Sequence, residues 1–152
     1  MIEPSIHDRI ACLANNCAFV NLRRASRDIT NYYDKLFLAT CGLRATQITP
    51  LVVLYLAGPQ TVNQIAERLK LDRTTLTRSL RLLEKSSLLE IHPGDDQRTR
   101  MVELTDNGTK TLIKVLPVWE EAQNHMEQSI GKKHFSALIS QLSNIARLTH
   151  KA

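Results

Sequence analysis

Residues 61–85 read Thr61-Val62-Asn63-Gln64-Ile65-Ala66-Glu67-Arg68-Leu69-Lys70-Leu71-Asp72-Arg73-Thr74-Thr75-Leu76-Thr77-Arg78-Ser79-Leu80-Arg81-Leu82-Leu83-Glu84-Lys85. Thr61, three residues ahead of Gln64, has the form of a capping box and predicts a short helix that carries Ile65, Ala66 and Leu69 inward. After a tight connection at Lys70-Leu71, Asp72 can cap a longer helix that runs to about Lys85. On that helix Leu76, Leu80 and Leu83 share one face. At about 100° per residue, Thr74, Arg78, Arg81 and Lys85 fall on the opposite face. A hydroxyl and three cations on the outside of a helix suit the major groove, where Arg pairs bidentately with guanine and Thr meets phosphate or a thymine methyl.

Downstream the period changes from helical to alternating. Leu89/Ile91 and Val102/Leu104 read as two strands, with the turn-rich Pro93-Gly94-Asp95-Asp96 as a hairpin tip between them. A short helix, a turn, a longer cationic helix and a two-stranded ribbon make a winged helix-turn-helix over residues 59 to 105. At the tip Arg98 can enter a narrow, electronegative minor groove, and Asp96 can orient its guanidinium or simply pair with it to stiffen the hairpin.

Helices are predicted on both sides of this unit. Upstream, the proline-free stretch from Ser5 to Thr49 reads as one long, bent helix whose apolar stripe shifts near Val20–Leu22 and which Gly42 ends. A nearly all-apolar core helix then begins at Thr46 or at Thr49-Pro50 and stops at Gly58-Pro59. Downstream, Thr105 caps a helix from about Asn107 to Ile130, with a kink expected at Pro117. After Gly131 a last helix carries Phe135, Leu138, Leu142, Ile145 and Leu148 on one stripe, long enough to need a partner. The fold class is therefore mainly α with a small β-hairpin wing.

The chain has 152 residues and 43% apolar composition, enough for one core. Its net charge of +5 points to a polyanionic partner, yet residues 59–105 carry eight basic and seven acidic side chains. Any nucleic-acid site must come from placing the cations on one face. Three cysteines, Cys12, Cys17 and Cys41, with a polar start that lacks an apolar leader core, fit a reducing cytoplasm. No stretch approaches the ~20 apolar residues of a membrane span. The histidines have no metal-ligand spacing, and no nucleophile elbow, phosphate loop or zinc-protease motif occurs, so neither metal, cofactor nor catalytic residues are expected.

The residues quoted from Thr61 to Leu69 and from Leu71 to Arg78, with Leu83-Glu84-Lys85, Asp96-Gln97-Arg98, Leu104-Thr105 and Gly108, resemble the MarR (multiple antibiotic resistance regulator) family. The resemblance implies a homodimeric DNA-binding regulator. Residues 1–45 and 106–152 would form an interlocked dimerisation region and residues 46–105 the winged helix-turn-helix that reads a pseudo-palindrome. It also implies that Thr74, Thr75, Thr77 and Arg78 face the major groove, Arg98 the minor groove, and Arg73 a phosphate. Arg81 and Lys85 join them on the helical projection. Lys70 and Ser86-Ser87 depart from the family by standing where glycine-containing turns are usual.

Family members also imply a small aromatic effector bound between the dimer helices and the winged unit, although Tyr32 and Tyr33 read as packing residues rather than as a pocket. Two alternatives remain: oxidant sensing through Cys12 or Cys17, and a winged helix used for protein–protein contact without DNA. Against easy disulfide formation, five residues of continuous helix would put Cys12 and Cys17 about 140° apart.

Overall fold

The computed structural model describes residues 5–94, 96 and 99–148. Among the described residues, seven helices and three short strands follow in the order α1 (Ile6–Asn16), α2 (Ala18–Cys41), α3 (Ala45–Ala57), β1 (Gln60–Thr61), α4 (Val62–Leu69), α5 (Arg73–Lys85), β2 (Leu89–Pro93), β3 (Arg100–Leu104), α6 (Asp106–Ile130) and α7 (Lys132–Leu148). The mainly helical winged architecture is as expected. The expected two-stranded ribbon is a three-stranded antiparallel sheet of order β1-β3-β2, because Gln60 and Thr61 pair with Val102 and Met101. Two residues are too few to show an alternating pattern, so β1 was invisible to periodicity.

One core joins α2 and α3 to the winged unit. Leu51, Ile65, Leu76, Leu80, Leu83 and Val102 are all fully buried in it. At roughly 1.5–3 kcal/mol for each fully buried Leu, Ile or Val side chain, these residues supply a large share of the driving force. The stripes read on α4 and α5 are therefore the faces that hold the unit together.

The N-terminal half departs from the single bent helix. Cys17 has extended backbone (φ −72°, ψ 119°) and separates α1 from α2. Asn21 braces this break by donating its Nδ2 to the carbonyls of Asn15 (2.9 Å) and Cys17 (3.0 Å). Because the helix is interrupted at Cys17, the 140° separation from Cys12 does not apply. Gly42 ends α2 in the left-handed conformation, as expected.

The next helix starts at Ala45, ahead of both expected starts. Its first N–H is taken by the Asp34 carboxylate of α2 (2.8 Å), and the other Asp34 oxygen receives Arg44 Nη1 at 2.8 Å. A cap supplied from eleven residues upstream leaves no local signature, so Thr49-Pro50 was a misleading start; Pro50 lies buried inside α3. Nor is α3 core all round, since Val52, Tyr55 and Leu56 are exposed. α6 runs through Pro117 as one element.

Lys70 and Ser87 both adopt positive φ, 53° and 55°, as their replacement of turn glycines suggested. A left-handed conformation costs a non-glycine residue about 1 kcal/mol, partly offset by the greater unfolded-state freedom of glycine. Lys70→Gly and Ser87→Gly are therefore each expected to raise Tm by about 1–3 °C. Thermal unfolding that shows no gain in either variant would contradict strain at these turns.

Candidate nucleic-acid interface

α5 is fixed at both ends. Asp72 accepts the Thr75 N–H at 2.8 Å, and hydrogen bonds from Thr75 hold its carboxyl below the ordinary aspartate value. The Leu76/Leu80/Leu83 face is fully buried, which sets the rotation of the helix. Thr74, Arg78, Arg81 and Lys85 are exposed on the opposite side. Arg73 and Thr75 are exposed at the start of the helix. Thr77 is half-buried, and its hydroxyl donates to the Arg73 carbonyl at 2.7 Å. It is the least available of the hydroxyls in the set.

The acidic residues of this segment lie off the cationic line. Asp72 is used as the cap, and Glu84 Oε1 accepts the N–H of Ile91 at 3.2 Å, tying α5 to β2. Glu84 is thus a positioning residue for the wing that sequence reading passed over. Only its place on the flank of α5, next to a strand, could have suggested this.

The wing is anchored at its base by the Ser87 turn. The Ser87 carbonyl accepts Thr105 Oγ1 at 2.8 Å, and the Leu88 carbonyl accepts Thr105 N–H at 3.2 Å. Thr105 Oγ1 in turn accepts the Gly108 N–H at 3.0 Å, which starts α6. One threonine therefore joins the exit of α5, the sheet and the long helix. At the tip, Asp96 is exposed, and its carbonyl accepts both the N–H and the hydroxyl of Thr99 at 2.8 Å. Arg98, the expected minor-groove residue, lies outside the described residues.

The cysteines are all free thiols, spread along α1, the break after it and the end of α2. Cys12 is exposed, with Asn16 Nδ2 3.3 Å from its sulfur, and Cys17 is half-buried at the helix break. No group of three or more potential metal ligands occurs among the described residues. No single described helix is long and apolar enough to cross a membrane.

Tyr33, expected as a packing residue, does pack on Phe37 with ring centroids 5.4 Å apart. It also lines a cavity of about 620 Å³ between α2, α3 and α6, with Phe37, Val52, Leu112, Leu116 and Trp119. At the polar end Gln123 Nε2 donates to Tyr33 Oη at 2.6 Å. Burial is the main cause that raises the Tyr33 phenol above its ordinary pKa, with Tyr32 adding to it. The space closes only when α6 packs on α2 and α3 from far along the chain, which is why no local pattern revealed it.

A sequence model of the MarR family matches residues 42–99. YwoH of Bacillus subtilis, an uncharacterised HTH-type transcriptional regulator, is 31% identical over 84 residues, which cover 53% of this chain and 61% of that protein. MhqR of the same organism, an HTH-type transcriptional regulator, is 30% identical over 101 residues, covering 65% of this chain and 68% of MhqR. Among solved structures, the Mycobacterium tuberculosis transcriptional regulator MosR in complex with DNA superposes with a TM-score of 0.74 at 31% identity, over 88% of this chain and 98% of that one.

Proposed function

This chain belongs to the MarR family of transcriptional regulators, and from that premise we propose that it is a homodimeric repressor that occludes a pseudo-palindromic operator and is released by a small molecule. The observation that carries the DNA-reading part is the exposed Thr74/Arg78/Arg81/Lys85 face, set directly opposite three fully buried leucines. In this reading Arg78 and Arg81 pair with base edges, and Thr74 and Thr75 contact phosphate or thymine methyls. Thr77 flanks them, Arg73 and Lys85 hold phosphates, and Arg98 reaches the minor groove with Asp96 beside it.

The dimer reading draws on surface that one chain cannot cover. α7 has no buried residue, although Leu138, Ile139, Leu142 and Ile145 lie along it at 37–51% exposure. Ile6, Ile10 and Leu13 of α1 are exposed at 62–75%. Exposed apolar stripes of this kind mark association surfaces, and a second copy seated on α1, α6 and α7 would place two winged units side by side. Residues 46–105 then read DNA and the flanking helices set the spacing.

Release follows if a ligand in the cavity between α2, α3 and α6 changes the angle at which α3 carries the winged unit. Moving the two α5 helices away from a separation of one DNA turn, about 34 Å, weakens binding to both half-sites at once.

The test is selection of bound fragments from genomic DNA with the purified full chain, followed by footprinting. Two protected half-sites with centres about 10 base pairs apart are expected. A protein that retains no fragment above a random background at low salt would instead act through protein contacts.

A further inference from the structure

We propose that the cavity between α2, α3 and α6 takes an uncharged, largely apolar molecule with one hydrogen-bonding group, and discriminates against anions and cations built on the same skeleton. This rests on the reading of that cavity as an effector site and names the chemistry it selects. No Asp, Glu, Lys, Arg or His lines the cavity. Its walls are aliphatic and aromatic, with Phe37, Val52, Leu112, Leu116 and Trp119 among them. Its volume of about 620 Å³ suits one small molecule.

Hydrogen-bonding capacity is neutral throughout: Tyr33, Thr49, Tyr55, Thr109, Trp119 and Gln123 are the polar side chains of the lining. Tyr33 Oη already accepts from Gln123 at 2.6 Å, which leaves its own proton to donate to a ligand. A phenol is protonated near neutrality in any case, and burial favours that form further. Thr49, on the rim, has its hydroxyl donated to the Ala45 carbonyl at 3.0 Å. A carboxylate placed here exchanges its water hydrogen bonds for a few neutral donors and meets no cation. An ammonium meets no carboxylate. Both lose more hydration than the site returns, whereas an alcohol or phenol carrying a ring loses little.

The experiment uses the full-length protein and N-phenyl-1-naphthylamine, an uncharged dye whose fluorescence rises in apolar sites. It is displaced by three ligands with one ring system: 1-naphthalenemethanol, 1-naphthoate and 1-naphthylmethylammonium. The alcohol is expected to displace the dye at a concentration at least about tenfold below either ion. Val52→Trp, which fills the exposed rim, is expected to weaken the dye severalfold. Thr49→Lys is expected to improve naphthoate relative to the alcohol, and Tyr33→Phe to weaken the alcohol but not naphthalene.

Absence of dye binding to the parent protein, as when a second copy covers the cavity, overturns the proposal. So does displacement by naphthoate or the ammonium as effective as by the alcohol. Repeating the titration with operator DNA separates the two readings. If the alcohol fills the cavity and leaves operator affinity unchanged, the ligand class stands and release by ligand fails.

Discussion

Replacing Arg78 and Arg81 together by alanine is expected to lower operator affinity by roughly 100-fold or more while leaving the melting temperature nearly unchanged. Each arginine that pairs bidentately with a base contributes about 1–3 kcal/mol of discrimination, and one factor of ten corresponds to about 1.4 kcal/mol. Both side chains are exposed, and no hydrogen bond or ion pair is seen for either among the described residues. Nothing in the folded chain should therefore be lost with them. Affinity for a scrambled duplex should fall less, because contacts to phosphate do not depend on sequence. Titrations of both duplexes at one fixed salt concentration check this. Equal losses on the two would assign the arginines to phosphates rather than to bases.

Gly108→Val is expected to destabilise the chain by roughly 3 kcal/mol, lowering Tm by about 6–12 °C. A Cβ at Gly108 would collide with the Leu88 carbonyl and come within 2.6 Å of Leu104 Cδ1. The backbone obstacle cannot move freely. The Leu88 carbonyl is held by Thr105 N–H, and Leu104 pairs with Leu89 across the sheet. Making room means separating α6 from the wing base, with loss of the Thr105 cap. A thermal melt that falls by less than about 2 °C would show that this junction yields more easily than its hydrogen bonds suggest.

That glycine illustrates what the residues disclose and what they withhold. Gly108 was legible as part of a spacing pattern after Leu104-Thr105, but the reason for it is a close approach to Leu88 that only the folded chain reveals. Apart from Thr49-Pro50, capping signals made within a few residues were reliable. The Thr61–Gln64 capping box, the Asp72 cap and the Thr105 cap all form where the chain places them. The rotation of α5 was equally plain, since three leucines at helical spacing can satisfy only one face.

Features assembled from distant segments were not legible. Asp34 caps a helix in another element, Gln60 and Thr61 join a sheet some forty residues on, and Gln123 reaches Tyr33 across the cavity. The break at Cys17 was missed for a different reason. It contains no proline or glycine, and the amide of Asn21 supplies the missing bonds. For the candidate interface, the cationic line of α5 could be read from the sequence, whereas the tie from Glu84 to Ile91 that sets the wing could not.

Affinity cleavage tests most directly whether the Thr74/Arg78 face of α5 lies in the major groove. An iron chelate is attached at Thr74→Cys in a chain whose three native cysteines are replaced by serine, and the selected operator is then cut by locally generated radicals. Cuts are expected at the two half-sites, about one helical turn apart, with the strand offset that marks the major groove. Cuts with a minor-groove offset, or cleavage spread evenly along the duplex, would contradict that placement.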